Sequence, residues 1–107
     1  MYYFCFKFIC MRIVARKTIV NFYQNHADSK IALEEWHLKT YRAKWMCSAD
    51  IKQTFNSVDS IGNDRFVFNI KGNDYRLVAL ILFKIETVYV RFIGTHAEYD
   101  KTNCTKI

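Results

Sequence analysis

Lysine, arginine, histidine and tyrosine recur at short spacing late in the chain. Lys71 and Arg76 lie in FNIKGNDYRLVALILF (residues 68–83), and Arg91, His96 and Tyr99 lie in VYVRFIGTHAEYD (residues 88–100). These are side chains suited to phosphodiesters. A guanidinium grips phosphate oxygens as a planar fork, an imidazole exchanges protons near neutral pH, and a phenol offers an aromatic face and a polar tip. If paired strands and the start of a terminal helix bring them to one face, that face is suited to RNA. Each residue also has an ordinary alternative. Arg76 can solvate an open strand face, His96 can be structural in a first helical turn, and Lys71 can be an exposed hairpin lysine. Arg91 can pair with a carboxylate, and Tyr99 can pack on the sheet edge.

The elements that must position these groups are readable from periodicity. A short alternating segment from Arg12 to Ala15 predicts a strand, and Ile19, Phe22 and Tyr23 predict a helix over residues 18–26. Asp28 and Ser29 offer N-cap oxygens for a second helix, with Ala32, Leu33, Trp36 and Thr40 inward and Lys30, Glu34 and Lys39 in water. This helical hairpin should cover one face of a sheet, with Trp36, Trp45 and the phenylalanines as core and His26 and His37 packing or facing solvent. A short helix is expected after Ser48. SVDSIGND reads as a turn reversing near Gly62 and Asn63. Three strands follow as an antiparallel meander, near residues 65–70, 75–83 and 87–93, joined at Gly72–Asn73 and Lys84–Glu86. Alternation in the last strand sets Val88, Val90 and Phe92 on one face and Tyr89, Arg91 and Ile93 on the other. Thr95 and Glu98 stand at capping-box spacing, which predicts a terminal helix carrying His96, Tyr99 and Asp100.

Composition bounds the rest. A chain of 107 residues is one domain, burying roughly 65% of its unfolded surface. At 51% hydrophobic and 17% aromatic residues it is too apolar for disorder. The net charge of +6 favours polyanionic partners, without separating RNA, DNA, an acidic protein or a membrane surface. Cys5, Cys10, Cys47 and Cys104 form no CxxC pair and no zinc spacing with the histidines, so they read as reduced structural thiols of a cytosolic protein. The opening MYYFCFKFIC is too short for a bilayer helix, which needs about 20 residues, and lacks the marks of a secretory signal. Residues 1–10 are expected to be an overlong start assignment, the other reading being an added edge strand, and residues 11–107 the working domain.

MRIVARKT, FNIKGNDYRLV and VYVRFIGTHAEYD together resemble the HigB toxins of type II toxin–antitoxin systems, within the RelE-like ribonuclease superfamily. The resemblance spans residues 11 to about 101 and includes the YRL triplet at Tyr75–Leu77. It implies an α+β, RelE-like fold: a small antiparallel or mixed sheet of about four strands, covered on one face by the N-terminal helical hairpin, with a short C-terminal helix. It also implies a cytoplasmic mRNA endonuclease (mRNA interferase) that works on translating ribosomes, inhibits translation and growth, and has no membrane association. A HigA-type helix-turn-helix antitoxin would silence it, and operator DNA would be met only through that complex. The implied chemistry needs no metal or other cofactor. The ribose 2′-hydroxyl attacks the adjacent phosphate, so base, acid and charge stabilisation come from side chains.

On this resemblance Arg76 matches the active-site arginine of the YRL motif, and His96 stands about where relatives hold a cationic catalytic residue. Lys71 and Tyr99 complete the catalytic set, while Arg91, Asn69 and Lys71 would contact RNA. Asn69 falls where many RelE-like enzymes carry lysine, a departure that bears on the general base. Two other classes stay open: a non-catalytic RNA-binding module, and an inactivated toxin that only binds its antitoxin as co-repressor.

Overall fold

The computed structural model describes residues 11–14 and 16–107, so the expectation for residues 1–10 lies outside the described residues. The chain runs β1 (Arg12–Val14), α1 (Arg16–Asn25), a 3-10 turn (Ala27–Ser29), α2 (Lys30–Arg42) and α3 (Ser48–Thr54). It continues through β2 (Val58–Gly62), β3 (Arg65–Ile70), β4 (Tyr75–Leu82), β5 (Thr87–Thr95) and α4 (His96–Lys101). The fold is α+β. One five-stranded sheet has the order β1-β5-β4-β3-β2, with β1 parallel to β5 and every other pair antiparallel.

Period-two burial decides which residues meet the helices. Phe66, Phe68 and Ile70 of β3, Tyr75, Leu77, Ala79 and Ile81 of β4, and Val88 and Val90 of β5 pack with Ile19, Leu33, Trp36, Trp45 and Ile51 from the helical layer. Phe68 sits at the centre. Its ring meets Trp36 at 5.4 Å and Phe55 at 5.2 Å, both edge to face, and stacks on Trp45 at 6.3 Å. The expected stripe of α2 is buried at Leu33, Trp36 and Thr40, with Ala32 partly covered.

Four local readings change. SVDSIGND supplies a fifth strand, because β2 pairs with Phe66–Phe68 and spares β3 an unpaired edge. The reversal comes immediately after it, with positive φ at Gly62, Asn63 and Asp64. Between β3 and β4 the left-handed residues are Lys71 and Gly72, one position earlier than expected. Asp28 does not cap α2: its carboxylate is taken by Tyr75 and Lys71, and the Ser29 hydroxyl donates to the His26 carbonyl at 2.7 Å. Finally, β5 carries a bulge. Val78 pairs with Phe92 but Ala79 with Val90, leaving Arg91 as the extra residue. Alternation therefore inverts there: Phe92 joins the far face and Ile93 packs against the helical-layer core.

That far face has its own apolar cluster. Val67, Val78 and Cys104 are buried in it, with Ile61, Phe92, Tyr99 and Ile107 partly buried against them. The helical hairpin thus covers one face as expected, while α4 and the residues after it cover part of the other.

Phe68→Ala removes the ring that three aromatic neighbours enclose. It should cost about 3–5 kcal/mol in urea-unfolding free energy, against less than ~1.5 kcal/mol for Phe68→Leu after repacking.

Candidate functional site

The site is built on a row that crosses three strands. Asn69 of β3 faces Arg76 of β4, which faces Gly94 of β5. Because Tyr75 and Leu77 are committed to the core, Arg76 belongs to the far face. Its guanidinium lies over the Tyr99 ring, 5.3 Å from the centroid, and its Nε is buried without a hydrogen-bond partner among the described residues. A buried charged donor left unpaired costs at least about 1–3 kcal/mol, so the arrangement is poised for an acceptor. Gly94 is buried and needs to be glycine: a Cβ there would stand 2.6 Å from the Phe92 ring, which is 6.4 Å from that of Tyr99.

Tyr99 is half-buried, and burial first, then the neighbouring Cys104, pushes its phenol pKa up, with Arg76 opposing. The phenol therefore keeps its proton and acts as a donor. It is carried by α4, whose start is fixed by the expected capping box. The Glu98 amide donates to Thr95 Oγ1 at 3.2 Å, and the Thr95 amide donates to Glu98 Oε1 at 2.8 Å. The Thr95 amide holds the Glu98 carboxyl below its usual range. His96 begins the same helix, exposed, with Nδ1 3.2 Å from Asp100 Oδ2. An Nδ1 proton shared with Asp100 leaves Nε2 as the nitrogen with the free lone pair.

Lys71 is drawn into a second constellation, toward the helical layer. Its Nζ lies 2.9 Å from Asp28 Oδ2 and 3.5 Å from Asp74 Oδ2, and Tyr75 donates to Asp28 Oδ1 at 2.6 Å. The bond to Asp28 raises the Lys71 pKa, so the group is an ammonium and not a proton acceptor. Tyr75 is raised by the same carboxylate, and Asp28 is lowered, by Tyr75 and then Lys71. His26 stacks on Phe22 at 4.2 Å and meets Tyr75 edge-on, so it packs here. Arg91 stands apart at the bulge, exposed and without an ion pair among the described residues.

Arg76, Tyr99 and Asn69 are thus brought together, with His96 on the helix that carries Tyr99, while Lys71 is engaged elsewhere. Asp28 and Tyr75 were not singled out from sequence as site residues. They lie far apart in the chain, and no local pattern links them. Among the described residues no three His, Cys, Asp or Glu side chains gather as a metal site would require.

A five-stranded sheet with a helical layer on one face and a guanidinium on the other agrees with the class matched by sequence, the RelE-like toxic components of toxin–antitoxin systems; that profile covers residues 29–102. The chain is 33% identical over 88 residues to the mRNA interferase toxin HigB of Escherichia coli strain K12, covering 80% of this chain and 82% of that one. The same figures hold for the mRNA interferase HigB of Shigella flexneri. The mRNA interferase HigB of Escherichia coli O6:H1 is 24% identical over 93 residues, 85% of this chain and 90% of its own. The chain belongs to the HigB toxin family.

The Asp28 constellation has a definite pH signature. Asp28 titrates below its ordinary 3.8 when folded, so its contribution is present above that value and is lost as pH falls through the folded value. Lys71 titrates above its ordinary 10.5, so its contribution is full below that value and is lost as pH rises through the folded one. Melting temperature measured against pH should therefore fall more steeply in acid for wild type than for Asp28→Asn, and the two curves should converge at the acid end. Parallel curves would remove Asp28 from this role.

Proposed function

We propose that this protein is a toxin that cleaves mRNA by attack of the ribose 2′-hydroxyl on the adjacent phosphate, at a site formed by Arg76, Tyr99 and His96. The observation that carries the reading is the Arg76 guanidinium, held over Tyr99 with a buried and unpartnered Nε. Such a fork is preorganised for charge that builds on phosphate oxygens, and its neighbour Asn69 presents an amide instead of a competing carboxylate.

In this mechanism His96 Nε2 accepts the 2′-hydroxyl proton while Asp100 orients the ring. The 2′-oxygen bonds to phosphorus and the bond to the 5′-oxygen breaks, leaving a cyclic phosphate and a 5′-hydroxyl. Tyr99, which keeps its proton, donates toward the departing oxygen, and Arg76 offsets the added negative charge. Lys71 and Arg91 serve as cations along the RNA backbone, Lys71 under the restraint of Asp28. The reading is supported by the similarity to relatives that are mRNA interferases. We further infer that the toxin domain is residues 11–107, that it acts on translating ribosomes in the cytoplasm, and that a HigA-type helix-turn-helix antitoxin silences it. Operator DNA would then be reached only through the antitoxin complex.

The test is induced expression of wild type beside Arg76→Ala, His96→Ala and the double variant, with mapping of transcript 5′ ends. Wild type should arrest growth and create new ends, and each single variant should lose about 10²-fold or more in cleavage rate. Growth and transcripts unchanged by wild type would sink the ribonuclease reading in favour of an RNA-binding module or a relic. Equal toxicity from all versions would reject these residues as the site.

A further inference from the structure

The six residues after α4 do more than end the chain. Thr102 Oγ1 donates to the Glu98 carbonyl at 2.9 Å, and the backbone then turns so that Cys104 enters the far-face cluster at 4% exposure. Thr105 and Ile107 are held by the β2–β3 hairpin. Asn63 Nδ2 donates to the Thr105 carbonyl at 3.0 Å, and Arg65 Nε donates to the main-chain oxygen of Ile107 at 2.9 Å. Arg65 Nη2 reaches that same oxygen, and Nη1 donates to the Asn63 carbonyl at 2.7 Å. The Arg65 fork is thus spent on main-chain oxygens, unlike that of Arg76.

We propose that Thr102–Ile107 is a strap, closed by Arg65, that positions Tyr99 and through it the Arg76 guanidinium for cleavage. The physical chain is continuous. Arg65 fixes Ile107, Ile107 and Cys104 complete the cluster with Val67 and Val78, and that cluster bears Tyr99, over which Arg76 lies. Two features favour positioning over general support. The strap packs into the far-face cluster alone and adds no residue to the larger core of the helical layer. Burial and Cys104 are also what raise the Tyr99 phenol above its ordinary range, so opening the strap shifts its titration midpoint as well as its place. Residues 103–107 lie beyond the region matched by the family profile. Arg65 is accordingly a positioning residue, and this inference rests on the assignment of Arg76 and Tyr99 to the site.

The experiment uses the full chain with tyrosine labelled at Cζ with carbon-13, so that Tyr99 is titrated individually by NMR. A single-turnover cleavage rate is measured on a short reporter mRNA in a cell-free translation mixture. Arg65→Ala should lower the Tyr99 titration midpoint toward that of an exposed tyrosine and slow cleavage by about 10-fold or more. Arg65→Lys, which restores one donor, should recover both readouts together. Asn63→Ala, which removes only the Thr105 bond, should move both by less, and it carries the comparison if Arg65→Ala does not fold. A Tyr99 midpoint left at its wild-type value in these variants overturns the strap, as does a shifted midpoint with an undiminished rate. Arg76→Ala in the same assay separates the two readings. If it cleaves like wild type, the site assignment fails and takes this inference with it; if it is inactive while an opened strap leaves the rate intact, only the strap fails.

Discussion

The burial of alternate residues along β4 is the constraint on which everything else depends. Tyr75, Leu77, Ala79 and Ile81 face the helical layer, and that choice sends Arg76, Val78 and Leu80 to the other side. The energetic scales are unequal. Each fully buried large aliphatic or aromatic side chain contributes about 1.5–3 kcal/mol, and β3, β4 and β5 together bury eight such positions beside Ala79 in the main core. The unpaired Nε of Arg76 costs only a fraction of this. A register slip that satisfied the guanidinium would turn the whole apolar set into water, so the core can hold Arg76 in an arrangement that is unfavourable on its own terms.

Net charge is a coarse guide to such a surface. The cations divide by what already holds them. Arg65 is committed to main-chain oxygens, Lys71 to two carboxylates, and Lys39 to Glu35 at 3.3 Å. Arg76 and Arg91 have no such commitments among the described residues. A positive total steers a polyanion toward the molecule, and in the proposed reading the uncommitted guanidinium gives it a place to bind.

Much of this was legible in the sequence because it rests on local rules. The inward stripe of α2, the three long strands and the Thr95–Glu98 capping box each depend on residues within one or two turns of each other. What escaped depends on distant pairing. Val58–Gly62 has little strand propensity of its own and becomes β2 because β3 offers it a ladder. The Arg91 bulge exists only as a register shift against β4, and it moves Phe92 to the face where Tyr99 packs. Asp28 looks like a helix cap until Tyr75 and Lys71 arrive from across the sheet to claim it. For the candidate site, the sequence pointed to Arg76, Tyr99 and Asn69, which the fold assembles, whereas the withdrawal of Lys71 and the packing of Thr102–Ile107 around Cys104 depend on contacts between segments far apart in the chain.

The parallel edge pair carries a consequence for how the molecule comes into being. β1 pairs with β5 so that Arg12 lies opposite Thr87 and Val14 opposite Tyr89. The first strand must therefore wait for nearly the whole chain before it finds a partner, and closing so long a loop is slow. Asn69, Arg76, His96 and Tyr99 all lie in the last two fifths of the sequence. The candidate site and the parallel edge therefore draw on the same late segment, β5 and the helix it leads into, so neither is complete before that segment has been made.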